Sequence, residues 1–449
     1  MKLLTKHAHG SVRELWTIAW PLVLSAAANM FMLLGDRIVL SRYSTEAFNA
    51  NVGALPWVWT AYFPLFSIVF IANVFVGRHN GAGDFKKIGP TVWQMLWFSL
   101  ALLVPLLPLS YFLAPHLLAH DLRGLGVPYL RILLPSVPIS LASFGALAAF
   151  FTGRGETRLV SAVSLFCNVL NFALDTLLVF GIGPFPEMGI CGAAWGTVIA
   201  QLIALCLFGF FFLDRRHREK YGVNDCRFNG RIFWQCFRVG GPNAFSATIN
   251  FILWSWIVQV MAHYVSSENF TAFGVSNTLF YFLLFFVEGV SLATGTIASN
   301  AYGAGAWEVI GRNARSWLKL SISFSIFAFF VMVIYPRPLL FFFVDGPMTD
   351  GFRSNLKTML FLTWLAIANT GIEFNQRQTL TAFGDTLFTM GASLFGYAGM
   401  VIIPGFIALR MTHNGASFLV VEAISQIFFI ITFYLRYRFH WMRHRSPSP

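Results

Sequence analysis

The sequence predicts an all-α polytopic membrane protein, with twelve transmembrane helices in two parallel-repeat six-helix lobes around a central cavity. Three observations predict this class. The chain is 57% hydrophobic and only 11% charged over 449 residues, whereas soluble chains carry roughly a quarter charged residues. Such a composition cannot cover a water-exposed surface. Second, about twelve apolar segments are each long enough to cross a bilayer, which takes roughly 20 residues. Third, short motifs recur in order at a nearly constant separation of half the chain. GAGDFKKIG at 81–89 returns as GAGAWEVIG at 303–311, and Pro21 returns as Pro242. FTGRGETRLVSAVSLF at 151–166 returns as LTAFGDTLFTMGASLF at 380–395.

The polar start MKLLTKHAHGSVRE runs into the first apolar segment without a cleavage site, which predicts a membrane span rather than a removable leader. In order, the spans are expected near 14–41, 50–77, 91–113, 127–152, 158–181, 189–213, 232–262, 270–300, 313–335, 354–382, 386–410 and 414–436. The GAG motif follows the second span of each half, where glycine ends a helix and lets the chain turn. The most charged stretch, DRRHREKYGVNDCRFNGR at 214–231, follows six spans and precedes six. It predicts a division into an N-lobe at 1–213, a linker at 214–231 and a C-lobe at 232–449 with a short basic tail. Each motif recurs an even number of spans later, so both copies face the same side, as in parallel repeats related by an axis along the membrane normal.

The net charge of +12 is placed asymmetrically. By this assignment of spans, 23 of the 31 Lys and Arg fall on the side that holds both termini. The positive-inside rule puts that side in the cytoplasm of an inner (plasma) membrane protein. The basic excess is therefore orientation rather than a nucleic-acid footprint, and no nucleic-acid partner is expected. Membrane lipid is the expected surround. The tail RYRFHWMRHRSPSP reads as charge retained after the last span, with anionic lipid as a possible contact. The five cysteines show no metal or disulfide spacing. His116 and His120 read as interfacial side chains rather than a metal pair, and no metal site is expected.

Ionisable residues inside a membrane are costly and are functional candidates by default. Asp36 lies in the outer part of the first span and Asp175 about two-thirds along the fifth. Asn171 precedes Asp175 by four residues, so both share a helix face. The two acids belong to one lobe and can converge, where a proton or another cation would neutralise them. Glu288 in span 8 and Glu422 in span 12 are further cavity candidates, as is Glu373, which can instead pair with Arg377. Phe280, Phe282, Phe285 and Phe286 can stack on planar cations or face lipid. No catalytic motif is present in a usable context, so no enzymatic activity is expected.

PLVLSAAANMFMLLGDRIVLSRYSTEAFNA, the GAG loop, FTGRGET, NVLNFALDTLLVFGIG and MGICGAAWGTVIAQ together resemble the multidrug and toxic compound extrusion (MATE) transporters. These lie within a larger group that includes lipid-linked saccharide flippases. The resemblance implies monomeric exporters of amphipathic, often cationic, organic compounds, driven by a proton or sodium gradient and needing no other cofactor. In the DinF-like branch it implies a cation or proton site at Asp36, Asn171, Asp175 and Thr197, and bending of the first helix at Pro21. Pro21 lacks a backbone donor and permits a kink. In the sodium-coupled NorM-like branch a carboxylate stands where this chain has Asn250, and the tenth-helix Asp has only Glu373 nearby. A second-lobe sodium site is therefore not expected, and proton coupling is favoured. A flippase would need a cationic cavity for phosphate, and a membrane-bound transferase would need a catalytic loop. The acids in the spans and the short loops disfavour both.

Overall fold

The structure is a computed structural model that describes residues 4–118, 122–336 and 350–445. His120 lies outside the described residues. Among the described residues the chain is helical throughout, with no strand. Lipid offers no partner to a backbone N–H or C=O, and a helix satisfies these groups internally. The long helical rods are α1 (Val12–Tyr43), α2 (Glu46–Ala82), α3 (Phe85–Leu117), α4 (Arg123–Gly153), α5 (Thr157–Phe180) and α6 (Ile190–Phe212). They continue as α7 (Gly230–Tyr264), α8 (Ser267–Gly303), α9 (Trp307–Ile334), α10 (Asp350–Phe383), α11 (Thr386–Thr412) and α12 (Gly415–Arg445). Among the described residues, ten of these rods are apolar and long enough to cross a membrane. The other two, α7 and α10, are 35 and 34 residues long, but α10 is studded with Asn369, Glu373, Asn375, Gln376 and Arg377. Each expected span falls on one rod.

The chain forms two compact units. The first unit is built from Leu24–Ala244 with Ser299–Gly305. The second is built from Thr5–Val23, Phe245–Ala298 and the described residues from Ala306 onward. Sequence order alone predicts an N-lobe at 1–213 and a C-lobe at 232–449. By packing, the chain changes unit inside α1 after Val23 and inside α7 after Ala244, in each case just beyond a proline, Pro21 and Pro242. A continuous helix carries its apolar pattern through such a point, so periodicity cannot reveal that its packing partner changes.

The charged linker is clamped in the first unit. On α3, Trp93 Nε1 donates to Val223 O at 2.7 Å, Trp97 Nε1 to Cys226 O at 2.8 Å and Gln94 Nε2 to Arg227 O at 3.0 Å. Asn229 N donates back to Gln94 Oε1 at 2.9 Å. A short helix, Arg215–Tyr221, is capped by the Asp214 side chain. Its His217 lies edge-on to Phe150 at 5.2 Å, and burial with the nearby Arg154 charge lowers the pKa of the imidazole. In the second unit, the start of α1 is anchored by Glu14, which is fully buried and accepts from Gly10 N at 2.6 Å.

The basic end of α12 is also an internal structural element. Arg436 Nε donates to Asp385 Oδ2 at 2.5 Å, and His440 Nε2 lies 2.8 Å from the same oxygen. These residues extend the helix past the membrane span rather than serving as surface charge alone. Burial works against the Asp385 carboxylate, but hydrogen bonds from Arg436 and His440 and their charges outweigh it, holding its pKa below the ordinary carboxylate value. A depressed folded pKa stabilises above the unfolded value, roughly pH 4, and is lost as pH falls through the folded pKa. Asp385→Ala should lower stability by about 1–3 kcal/mol near neutral pH. The gap from wild type should close below roughly pH 4. Thermal unfolding of both proteins across pH measures it; a gap that stays constant with pH would show that this ion cluster is not the cause.

Candidate functional site

The site is built in the first unit from α5, α6, α1, α4 and α2. Helices α5 and α6 approach closely because α6 has no side chain where it meets α5. A Cβ on Gly192 would lie 2.6 Å from the Leu178 carbonyl, and one on Gly196 would overlap Asp175 Oδ1. That absence of a side chain leaves room for the Asp175 carboxyl, which is fully buried. Asn171, one turn earlier and 1% exposed, donates from Nδ2 to Asp175 Oδ1 at 3.1 Å and to Thr197 Oγ1 at 3.3 Å. The Thr197 hydroxyl in turn donates to Ala193 O at 3.1 Å. Thr197 thus bonds its own helix and receives Asn171 at once.

Helix α1 brings in the second carboxylate. At Gly35 it packs on α5, where a Cβ would lie 2.8 Å from Phe172 Cδ2. The next residue, Asp36, comes close enough for its charge to interact with that of Asp175. No ion pair joins Asp36 to Arg37 or Arg42 among the described residues. The structure therefore brings Asn171, Asp175 and Thr197 into direct hydrogen bonding and Asp36 into electrostatic reach of them.

Several participants were not singled out by the sequence. Tyr129 on α4 is 4% exposed, its hydroxyl accepts from Asn51 Nδ2 of α2 at 2.8 Å, and its ring lies within electrostatic reach of Asp36, Asp175 and Arg37. Asn168 Nδ2 donates to Asn29 Oδ1 at 2.9 Å. Each of these two amides lies two helical turns before an acid, Asp175 and Asp36 respectively, so the same helix faces carry both layers. That spacing was present in the sequence as a signal. Tyr129 and Asn51 gave none, because their contact depends on how α2 packs on α4.

The site is rich in acceptors. Asp36 Oδ1, Asp175 Oδ2, Asn171 Oδ1 and Asn51 Oδ1 are all buried without a hydrogen-bond partner. Buried oxygens without donors are costly. A proton or a hard cation supplies what they lack, and oxygen-only ligation suits hard cations.

The second-unit candidates do not form an equivalent cluster. Glu373 Oε1 lies 3.4 Å from Arg377 Nε, which makes it a local ion pair. Glu422 sits within electrostatic reach of Tyr281 and Tyr397. Asn250 Oδ1 is buried without a partner, and Glu288 is partly buried on α8. Among the described residues no hydrogen bond or ion pair links these four.

The MatE family profile matches residues 21–177 and again 244–407. The chain belongs to the MatE family. The second match starts half a chain after the first, so the family unit occurs twice, at the spacing of the repeated motifs. Among curated proteins, the chain is 26% identical over 349 residues to "Probable multidrug resistance protein NorM" of Thermotoga maritima, covering 75% of this chain and 73% of that one. It is 23% identical over 346 residues to "FAD transporter" of Shewanella oneidensis, covering 75% of each. Among solved structures it resembles "Outward-facing conformation of a multidrug resistance MATE family transporter of the MOP superfamily", with TM-score 0.86 and 17% identity, over 99% of this chain and 100% of that one. A MOP superfamily transporter from Pyrococcus furiosus, described by the "reverse polarity" of its binding pocket, matches with TM-score 0.86 and 16% identity over 99% and 100% of the two chains. As a MatE protein the chain is an integral membrane transporter of the multidrug efflux family and not an enzyme.

The geometry sets a prediction about the site itself. Gly196→Ala places a methyl on the Asp175 carboxyl and should cost roughly 1–3 kcal/mol. The companion substitution Asn171→Ala should cost a similar amount, about 1–3 kcal/mol, by leaving the Asp175 and Thr197 oxygens without their donor. Thermal unfolding in detergent checks both; wild-type stability in Gly196→Ala would show that Asp175 is free to move aside.

Proposed function

We propose that this MatE protein is a secondary active antiporter that exports amphipathic, cationic organic compounds in exchange for protons. It works by alternating access, with Asp36 and Asp175 as the exchange site and Asn171 and Thr197 holding the site in shape. The observation that carries this reading is the cluster of unpartnered buried oxygens around two carboxyls whose charges interact. Two adjacent carboxylates in a low-dielectric pocket cannot both remain charged without compensation. A proton or an organic cation can each provide it, and one displacing the other is antiport. In this reading Pro21 permits the bending of α1 that moves Asp36, since a proline removes a helix hydrogen bond. The protein acts as a monomer in lipid, in the inner membrane, with both termini cytoplasmic as its charge asymmetry implies.

Proton coupling is favoured over sodium by the second unit, where Asn250 replaces a carboxylate and Glu373 is paired with Arg377. The specific observation on the other side is the set of four acceptor oxygens, which also suits a sodium ion. A flippase is disfavoured because the candidate site is built on two carboxyls, Asp36 and Asp175, whereas lipid phosphate calls for cations.

Transport of a fluorescent cationic dye in inverted vesicles tests the proposal, with either a pH or a sodium gradient imposed. The expected result is pH-driven transport that falls at least about ten-fold in Asp36→Asn and Asp175→Asn, a loss equivalent to roughly 1.4 kcal/mol or more. Sodium-driven transport lost in the same variants would overturn the choice of ion. Wild-type rates in Asp36→Asn would overturn the site. A folded wild type that moves none of a broad dye panel would overturn the multidrug reading in favour of a narrow or lipid-linked substrate.

A further inference from the structure

The two copies of the GAG motif meet, and they meet reciprocally. The C-terminal turns of α2 and α8 run into Gly83 and Gly305, so Arg78 corresponds to Asn300 and Gly81 to Gly303 in the repeat. A Cβ on Gly81 would overlap the carbonyl oxygen of Asn300. A Cβ on Gly303 would overlap the carbonyl oxygen of Arg78. Each glycine thus rests on the backbone of the residue that corresponds to the one three positions before itself, a crossing with local two-fold symmetry. A Cβ on Gly77 would overlap Ser299 Oγ, extending the contact by one turn. Polar groups complete it. Asn80 Nδ2 donates to Asn300 Oδ1 at 2.7 Å, and Asn300 Nδ2 donates to Gly153 O at 2.8 Å. The Arg78 guanidinium lies over Phe75 at 5.3 Å and Tyr302 at 5.2 Å. All these residues belong to the first unit.

We propose that this glycine-on-backbone crossing is the cytoplasmic seal of the transport pathway and parts once in each cycle. The inference rests on the alternating-access reading above. The crossing lies at the end of α2 and α8 that carries the basic loops, which is the cytoplasmic side by charge. Its composition suits a contact that opens and closes. Backbone against backbone leaves no gap, so closure is tight. The side chains that meet across it, Ser299 at Gly77 and Asn80 with Asn300, are polar and can be hydrated on opening. The amides of Asn80 and Asn300 exchange one another for water on opening, at small net cost. A methyl group at either glycine prevents closure without touching the carboxylate site.

Cysteine labelling tests the seal independently of the substrate. Ser299 is fully buried at the crossing. Ser299→Cys, in a background with the five native cysteines replaced, is exposed to a membrane-impermeant maleimide on the cytoplasmic face of inverted vesicles. Slow labelling is expected in the otherwise wild-type chain, and labelling at least about ten-fold faster when Gly81→Ala or Gly303→Ala is added. Equal rates in all three would overturn the proposal. A second arm keeps the native glycines. Asn80→Cys with Asn300→Cys is bridged by a short, reducible bifunctional thiol reagent. Dye transport should stop on bridging and return on reduction; continued transport by the bridged protein would overturn the seal. If no dye is moved even before bridging, the antiport reading fails, while the labelling arm still decides whether the crossing opens.

Discussion

Close approach of helices at positions with no side chain is the constraint on which the rest of this structure depends. In a membrane, helices gain little from burying apolar surface against one another, because lipid is equally apolar, and small residues that let backbones touch become the adhesive. This chain uses the device at each place that matters. Gly192 and Gly196 let α6 lie on α5 and leave the Asp175 carboxyl its space. Gly35 lets α1 lie on Phe172 and delivers Asp36. Gly81 and Gly303 let the ends of α2 and α8 cross. A methyl at any of these positions would displace the side chain or backbone it faces.

The second consequence concerns charge. The fold is duplicated, but its chemistry is not. The first unit holds two interacting carboxyls, an amide and a hydroxyl together, with buried acceptor oxygens left without donors. In the second unit Glu373 is paired with an arginine one turn away, and an amide stands at Asn250. An acid whose charge is already matched has no need of a mobile cation, whereas an unmatched pair does. The two copies of the family unit therefore differ in how their buried acids are partnered.

Much of this was legible because it is local. Twelve spans followed from apolar runs, and the repeat followed from motifs at matching separations. Asn171 and Asp175 were read as neighbours from a four-residue spacing, and the structure joins them at 3.1 Å. Thr197 was reached through family resemblance rather than spacing. Tyr129 and Asn51 were missed because nothing near either in sequence marks it. The basic residues of the tail were read as retained charge, but Arg436 and His440 close on Asp385, 51 and 55 residues away. The charge of the linker marks it as a loop in sequence, and only the structure shows two indole N–H groups and an amide pinning its backbone to α3.

The sequence by itself determined that this chain crosses a membrane many times, that it was built by duplication with both copies facing one side, and that its intramembrane acids are few. Hydrophobicity, helical period and charge asymmetry are properties of short segments, and each can be read without knowing what the segment touches. Tertiary structure alone decided which faces meet: that α1 and α7 change unit beyond their prolines, that Asp36 comes to Asp175, and that the two GAG motifs rest on each other. These depend on how closely two backbones approach. That distance is set by side chains on both partners at once, and neither segment specifies it alone.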